Sequence, residues 1–128
     1  MNTITYQKDA LRTNSADHHD ISIRLGSHKM QQILHAGIGV ATESGEILDA
    51  IKKHVYYGKK LDTVNLIEEV GDVMWYLAVL LDQCGSTFDE AMEKNIAKLK
   101  TRFPEGFTEH NALNRDLNSE RKGLEAPV

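Results

Sequence analysis

Two long runs of helical periodicity, separated by the sextet YGKKLD at residues 57–62, constrain the fold of this chain more than any other feature. From 28 to 57 an apolar stripe of Ile33, Leu34, Gly37, Ala41, Leu48, Ile51 and Val55 follows the period of a helix and not of a strand. A second stripe, Ile67, Val70, Met74, Leu77 and Leu81, belongs to a helix that begins at Asp62 or Thr63 and runs to about Cys84. Gly58 suits a left-handed cap on the first helix, with Lys59 and Lys60 near its negative end, and Gly85 stops the second. Val73, Tyr76, Val79 and Leu80 spread apolar character round the C-terminal half of the second helix, which predicts burial on several sides, inside a bundle or at a subunit interface.

The flanking segments are shorter. Residues 3–13 predict an amphipathic helix capped by Thr3 or Thr5, with Ile4, Tyr6, Ala10 and Leu11 available for burial. Residues 14–27 read as a polar loop, and the run Asp17, His18, His19, Asp20 within it reads as solvated side chains rather than a metal site. Thr87 with Glu90 forms a capping-box pattern, opening a helix that Pro104 closes and whose apolar edge is Phe88, Met92, Ile96, Leu99 and Phe103. From 105 onward the chain is a polar tail with one weak helix near 112–121, laid over the bundle or a neighbouring subunit. The expected fold is all-α, a helical bundle of about four main helices. It forms one domain over 1–128: an N-terminal helix and loop (1–27), the helices that carry the site (28–104), and the tail (105–128). A chain of 128 residues buries more surface by associating, so an oligomer is expected.

Composition excludes several classes. A net charge of -4 argues against binding duplex DNA or RNA, which requires clustered cations to neutralise phosphates. A single cysteine, Cys84, excludes an intrachain disulfide and suits a reducing compartment; its apolar surroundings in sequence predict a buried thiol. There is no basic segment followed by an apolar one at the N-terminus, and no apolar run approaches the ~20 residues of a membrane span. A cytoplasmic location without membrane partners is expected.

The chemistry lies in two acidic pairs, Glu43 with Glu46 on the first long helix and Glu69 with Asp72 on the second. At about 100° per residue the members of each pair sit roughly 60° apart, so each pair can direct two carboxylates at one place. Carboxylates gathered without cations repel one another, and a hard divalent metal such as Mg²⁺ answers that need, since it prefers oxygen ligands and is commonly shared with substrate phosphates. Neither a thiolate- or imidazole-led zinc site nor a ferritin-like di-iron site, with its Glu-x-x-His pairs, fits these residues. Small residues, Ala36, Gly39 and Ala50, lie on the same side of the helix as both glutamates. Gly37, Gly39 and Gly45 within one helix call for the close approach of a second helix or a ligand. Glu68 is also acidic, but its side chain points about 100° away from Glu69. On the third long helix Asn95, Lys98 and Arg102 share a face, offering charged donors to phosphate oxygens. Acids for a metal and cations for phosphates together suggest a polyphosphate site.

The pattern Glu43-x-x-Glu46, then Glu69-x-x-Asp72, then Asn95-Ile96-Ala97-Lys98 running on to Arg102-Phe103-Pro104, resembles the MazG-type all-α nucleoside triphosphate pyrophosphohydrolases. The segments YQKDALRT, LHAGIGVATESGEILD and NRDLNSER also resemble small single-domain members, including phage-encoded ones. The resemblance implies a helical bundle assembled as a homodimer or homotetramer. The implied reaction takes a nucleoside triphosphate and water to the monophosphate and pyrophosphate. It also implies that Glu43, Glu46, Glu69 and Asp72 hold Mg²⁺, with Mn²⁺ as a possible substitute, and that Asn95 and Lys98 contact phosphate or sugar, with Arg102 a weaker counterpart. In such a mechanism water attacks the α-phosphorus in line, and Glu43 or Glu46 accepts its proton. His35, Trp75 and Tyr76 are the candidates for reading the base. A dUTPase-type or phosphoribosyl-ATP pyrophosphohydrolase of the same superfamily, and a nucleotide-binding bundle without turnover, are the rival readings.

Overall fold

The computed structural model describes residues 2–15 and 17–126, and among these it contains seven helices and no strand. In chain order they are α1 (Thr3–Leu11), α2 (His18–Gly26), α3 (His28–Tyr57), α4 (Thr63–Cys84), α5 (Phe88–Arg102), α6 (Glu109–Leu113) and α7 (Leu117–Glu125). The long helices fall where periodicity predicts them. Gly58 and Gly85 both adopt the left-handed conformation, at φ 65° and 68°, that ends α3 and α4. Thr87 Oγ1 accepts from the Glu90 backbone N–H at 3.2 Å, opening α5, while the Glu90 carboxylate engages Ser86 and Lys94.

The differences are local and have local causes. The expected cap of α1 at Thr3 or Thr5 is supplied instead by Asn2, whose side chain accepts from Thr5 N at 2.8 Å. The segment read as a loop holds α2, because Asp17 caps it by accepting from Asp20 N and so satisfies an otherwise orphan donor. In the tail Thr108 caps α6 and Asp116 caps α7, giving two short helices where one was expected.

Packing within the chain is concentrated between α3 and α4, with α2 against α3 and α7 against α5. The close contacts pair Gly39 with Tyr76 and bring Glu43 to Glu69 and Asp72, so α3 and α4 run antiparallel. The face of α3 turned toward α4 is the one with small residues: Ala36 and Gly39 are its buried positions. The apolar stripes point elsewhere. Leu34, Leu48, Ile51 and Val55 of α3, and Ile67, Val70 and Met74 of α4, are all exposed in the single chain, as are Met92 and Ile96 of α5 and the α1 residues Ile4, Tyr6 and Leu11. Cys84, expected as a buried thiol, is exposed as well. The chain exposes 10305 Å², whereas a folded monomer of 14.4 kDa would expose about 6,800 Å². Periodicity locates an apolar stripe but does not say which surface covers it.

Candidate active site

The α3–α4 pair brings three of the four acids together. Ligand oxygens of Glu43, Glu69 and Asp72 all lie within 4.8 Å of one another. Glu43 and Asp72 come from the middle of their helices, where backbone hydrogen bonding is continuous and positions are fixed by the packing of small residues. Glu69 is the buried member, at 7% exposure, and it accepts from Asn65 Nδ2 at 2.7 Å. Thr42 Oγ1 donates to Glu43 Oε1 at 3.3 Å. None of the ion pairs among the described residues involves Glu43, Glu69 or Asp72. A carboxylate removed from water is expensive to leave without a cation. The donor set, three carboxylates with no soft ligand, fits a hard divalent ion.

Glu46 stands apart from this trio. It is exposed and lines a neighbouring cleft of about 260 Å³, together with Lys53, Lys59, Lys60 and Asn65. Asp49 lines the same cleft and is bound by Lys52 and Lys53 at 2.5 Å each. Hydrogen bonds from Lys52 and then Lys53 hold its carboxyl down at about 2.

On the other side of the trio lies an aromatic group. Tyr76 sits directly over Gly39, and its ring meets Trp75 edge-on at a centroid distance of 4.9 Å and His35 at 5.6 Å. His35 and Trp75 are themselves 6.4 Å apart, and both are exposed. Gly39 is the helical glycine whose reason is visible within the chain, since any side chain there would occupy the Tyr76 ring. A Cβ at Gly37 or Gly45 would meet nothing within 4 Å.

The basic face of α5 is not brought to the trio in a single copy, because α5 packs on α7 and makes no more than marginal contact with α3 or α4. Asn95 is exposed and Lys98 half-buried. Arg102 turns to the tail instead, where it donates Nε to Glu120 Oε1 at 2.8 Å and Nη2 to Glu120 Oε2 at 2.7 Å. Arg115 grips the same carboxylate, with Nη2 to Oε2 at 2.8 Å. Glu120 is buried at 4% exposure, and the hydrogen bonds from Arg102 and then Arg115 hold its carboxyl at about 2.

Asn65 and Glu120 were not singled out from the sequence. Asn65 lies four residues before Glu69, an amide–carboxylate spacing that places the two side chains side by side on a helix. Glu120 has one partner nearby in sequence, Arg115 five residues before it, but the other, Arg102, is 18 residues away.

The chain is similar to the "Gene 37 protein" of Mycobacterium phage L5, at 29% identity over 90 residues, covering 67% of this chain and 79% of that protein. No solved structure matches it. The family model for the MazG nucleotide pyrophosphohydrolase domain matches residues 31–107, a span that contains both acidic pairs and the α5 face. The chain belongs to the MazG nucleotide pyrophosphohydrolase family.

Proposed function

We propose that the chain is a Mg²⁺-dependent nucleoside triphosphate pyrophosphohydrolase, converting a ribo- or deoxynucleoside triphosphate and water to the monophosphate and pyrophosphate. The observation that carries this reading is the buried Glu69 carboxylate, gathered with Glu43 and Asp72 and lacking an ion-pair partner among the described residues of a chain in this family. Glu43, Glu69 and Asp72 would hold Mg²⁺, or Mn²⁺ in its stead, and the ion would neutralise triphosphate charge during attack at the α-phosphorus.

The protein's own residues divide the remaining work. Asn65 orients Glu69 through its amide. Glu46, outside the trio and facing a cleft, is the acid left to accept the proton of the attacking water. His35 and Trp75, beside Tyr76, offer an exposed aromatic surface for the base. Asn95 and Lys98 act on the phosphates or the sugar, and since α5 does not reach the trio of its own chain, a second copy supplies them. Arg102 acts by fixing the end of α5 through Glu120.

The assembly is a homodimer or homotetramer. The surface beyond that of a compact monomer is roughly 3,500 Å², well above the ~800 Å² per partner of a standard interface and in keeping with an obligate one. The test is a panel of ribo- and deoxynucleoside triphosphates incubated with Mg²⁺, with products identified by ³¹P NMR. Monophosphate and pyrophosphate are expected from at least one substrate. Nucleotide binding without turnover, or release of diphosphate and orthophosphate, would overturn the proposal.

A further inference from the structure

The cleft beside Glu46 holds cations that nothing in the chain uses. Six charged residues line it, and three of its acids and bases are already engaged: Lys53 with Asp49, and Asp62 as the cap of α4, accepting from Val64 N and Asn65 N at 3.1 Å each. Among the described residues no carboxylate pairs with Lys59 or Lys60. Two unpaired ammonium groups side by side are notable in a chain of net charge -4.

The loop that carries them is fixed in place. Gly58 turns the chain in the left-handed conformation, Lys59 N donates to Lys53 O at 3.2 Å, and His54 Nδ1 donates to Lys59 O at 2.8 Å. These bonds anchor the backbone at Lys59 to the last turn of α3. Only the lysine side chains remain to be ordered, which reduces the entropy lost on binding an anion.

The order of groups along the α3–α4 pair supplies the rest. The aromatic group lies at the level of Gly39 and Tyr76, the acidic trio at Glu43 and Asp72, and the lysine cleft at Glu46, Lys53 and Asn65. At 1.5 Å per residue, Gly39 to Glu43 is about 6 Å along the helix, and Glu43 to Glu46, which lines the cleft, about 4.5 Å. A nucleoside triphosphate laid along this line would put its base on the aromatic rings, its reacting phosphate at the trio, and its terminal phosphates in the cleft. The cleft, about 260 Å³, is smaller than the ~300–1,000 Å³ of a whole ligand site, as a subsite for part of a substrate should be.

We infer that Lys59 and Lys60 bind the diphosphate end of the substrate, the part that leaves as pyrophosphate. This rests on the pyrophosphohydrolase reading above. The two ammonium groups donate to phosphate oxygens whose charge grows as the bond to the α-phosphorus breaks. Lys53, held by Asp49, flanks them.

The test uses inorganic pyrophosphate with Mg²⁺ and isothermal titration calorimetry on the full chain, so that it does not depend on turnover. Four proteins are compared: wild type, Lys59→Ala/Lys60→Ala, Lys59→Arg/Lys60→Arg, and a charge-matched control, Lys8→Ala/Lys29→Ala, on α1 and the first turn of α3. The alanine pair is expected to lose about tenfold or more in pyrophosphate affinity, as removal of charged hydrogen bonds should. The arginine pair recovers most of that loss, and the control stays within about twofold of wild type. A loss under tenfold in the alanine pair, an equal loss in the control, or no measurable binding by wild type overturns the inference. Steady-state kinetics on the same proteins separates the two claims. If wild type turns over a triphosphate while the alanine pair keeps its KM, kcat and pyrophosphate affinity, the lysine subsite fails and the enzyme reading stands. If wild type turns over no triphosphate, the enzyme reading fails, and the calorimetry still decides whether the cleft binds a diphosphate.

Discussion

Replacing Gly39 with alanine probes the contact that sets the register between α3 and α4. An added Cβ would overlap three Tyr76 ring carbons, Cδ1, Cε1 and Cζ, lying well inside van der Waals distance of each. Since non-bonded carbons settle about 3.5–4.0 Å apart, the ring must retreat by more than ~1 Å. It is held by edge-on contacts to Trp75 and His35, so its retreat disturbs the whole aromatic group. Overpacking of this kind costs about 1–3 kcal/mol, while alanine in a helix interior returns about 0.8–1 kcal/mol relative to glycine. The net effect is a loss of up to about 2 kcal/mol, a fall in Tm of up to about 8 °C for a domain of this size. Gly45→Ala provides the internal comparison. Its Cβ meets nothing within 4 Å, so helix propensity acts alone and Tm should rise. Thermal melts by far-UV circular dichroism measure both, and near-UV spectra report the Tyr76 and Trp75 environments. A Gly39→Ala protein that melts at or above wild type with an unchanged near-UV spectrum would refute the seating of Tyr76 on Gly39.

Three further outcomes follow from other contacts. Glu69→Gln removes a buried carboxylate that lacks a cation, so without metal its Tm should equal or exceed that of wild type. It should also lose the stabilisation by Mg²⁺, about 2.7 kcal/mol at 100 times Kd, which differential scanning calorimetry with and without Mg²⁺ reads directly; an undiminished Mg²⁺ shift would remove Glu69 from the metal site. Hydrogen bonds from Arg102 and then Arg115 hold the Glu120 carboxyl at about 2, below its ordinary value of 4.5. Its ion pairs therefore stabilise fully above about pH 4.5, and that stability is lost as pH falls from there toward 2. Glu120→Gln should lower Tm at pH 7 and flatten this acid dependence, and a wild-type slope in the variant would contradict the pairing. Finally, if α5 serves the site of a second copy, mixing inactive Asp72→Asn and Lys98→Ala chains as dimers should restore about a quarter of wild-type turnover. No recovery after subunit exchange would assign α5 to its own chain.

The parts of the fold legible in the sequence were those set by local physics. Periodicity and glycine stops mark α3 and α4, and the left-handed Gly58 and Gly85 lie where they were expected. The acidic pairs were visible because three-residue spacing on a helix puts two carboxylates on one face. What local reasoning could not supply was the partner of each face. Leu48, Ile51 and Met74 lie on apolar stripes, yet within the single chain it is Ala36 and Gly39 of α3 that are buried, because the small face lets two backbones approach closely while the large residues face outward. Arg102 read as part of a phosphate-binding face until Glu120, far along the chain, is seen to hold it. Glu46 matches its neighbour Glu43 in sequence pattern, but only the packing of α4 separates them, drawing Glu43 into the trio and leaving Glu46 at the cleft.

In the proposed reaction water attacks the α-phosphorus of a nucleoside triphosphate at the site built on Glu43, Glu69 and Asp72. Turnover of a preferred triphosphate in ¹⁸O-enriched water with Mg²⁺, followed by mass spectrometry of both products, measures that step directly. One ¹⁸O atom should appear in the nucleoside monophosphate and none in pyrophosphate, with Asp72→Asn giving neither product. Label in the pyrophosphate, or labelled monophosphate formed at the wild-type rate by Asp72→Asn, would contradict it.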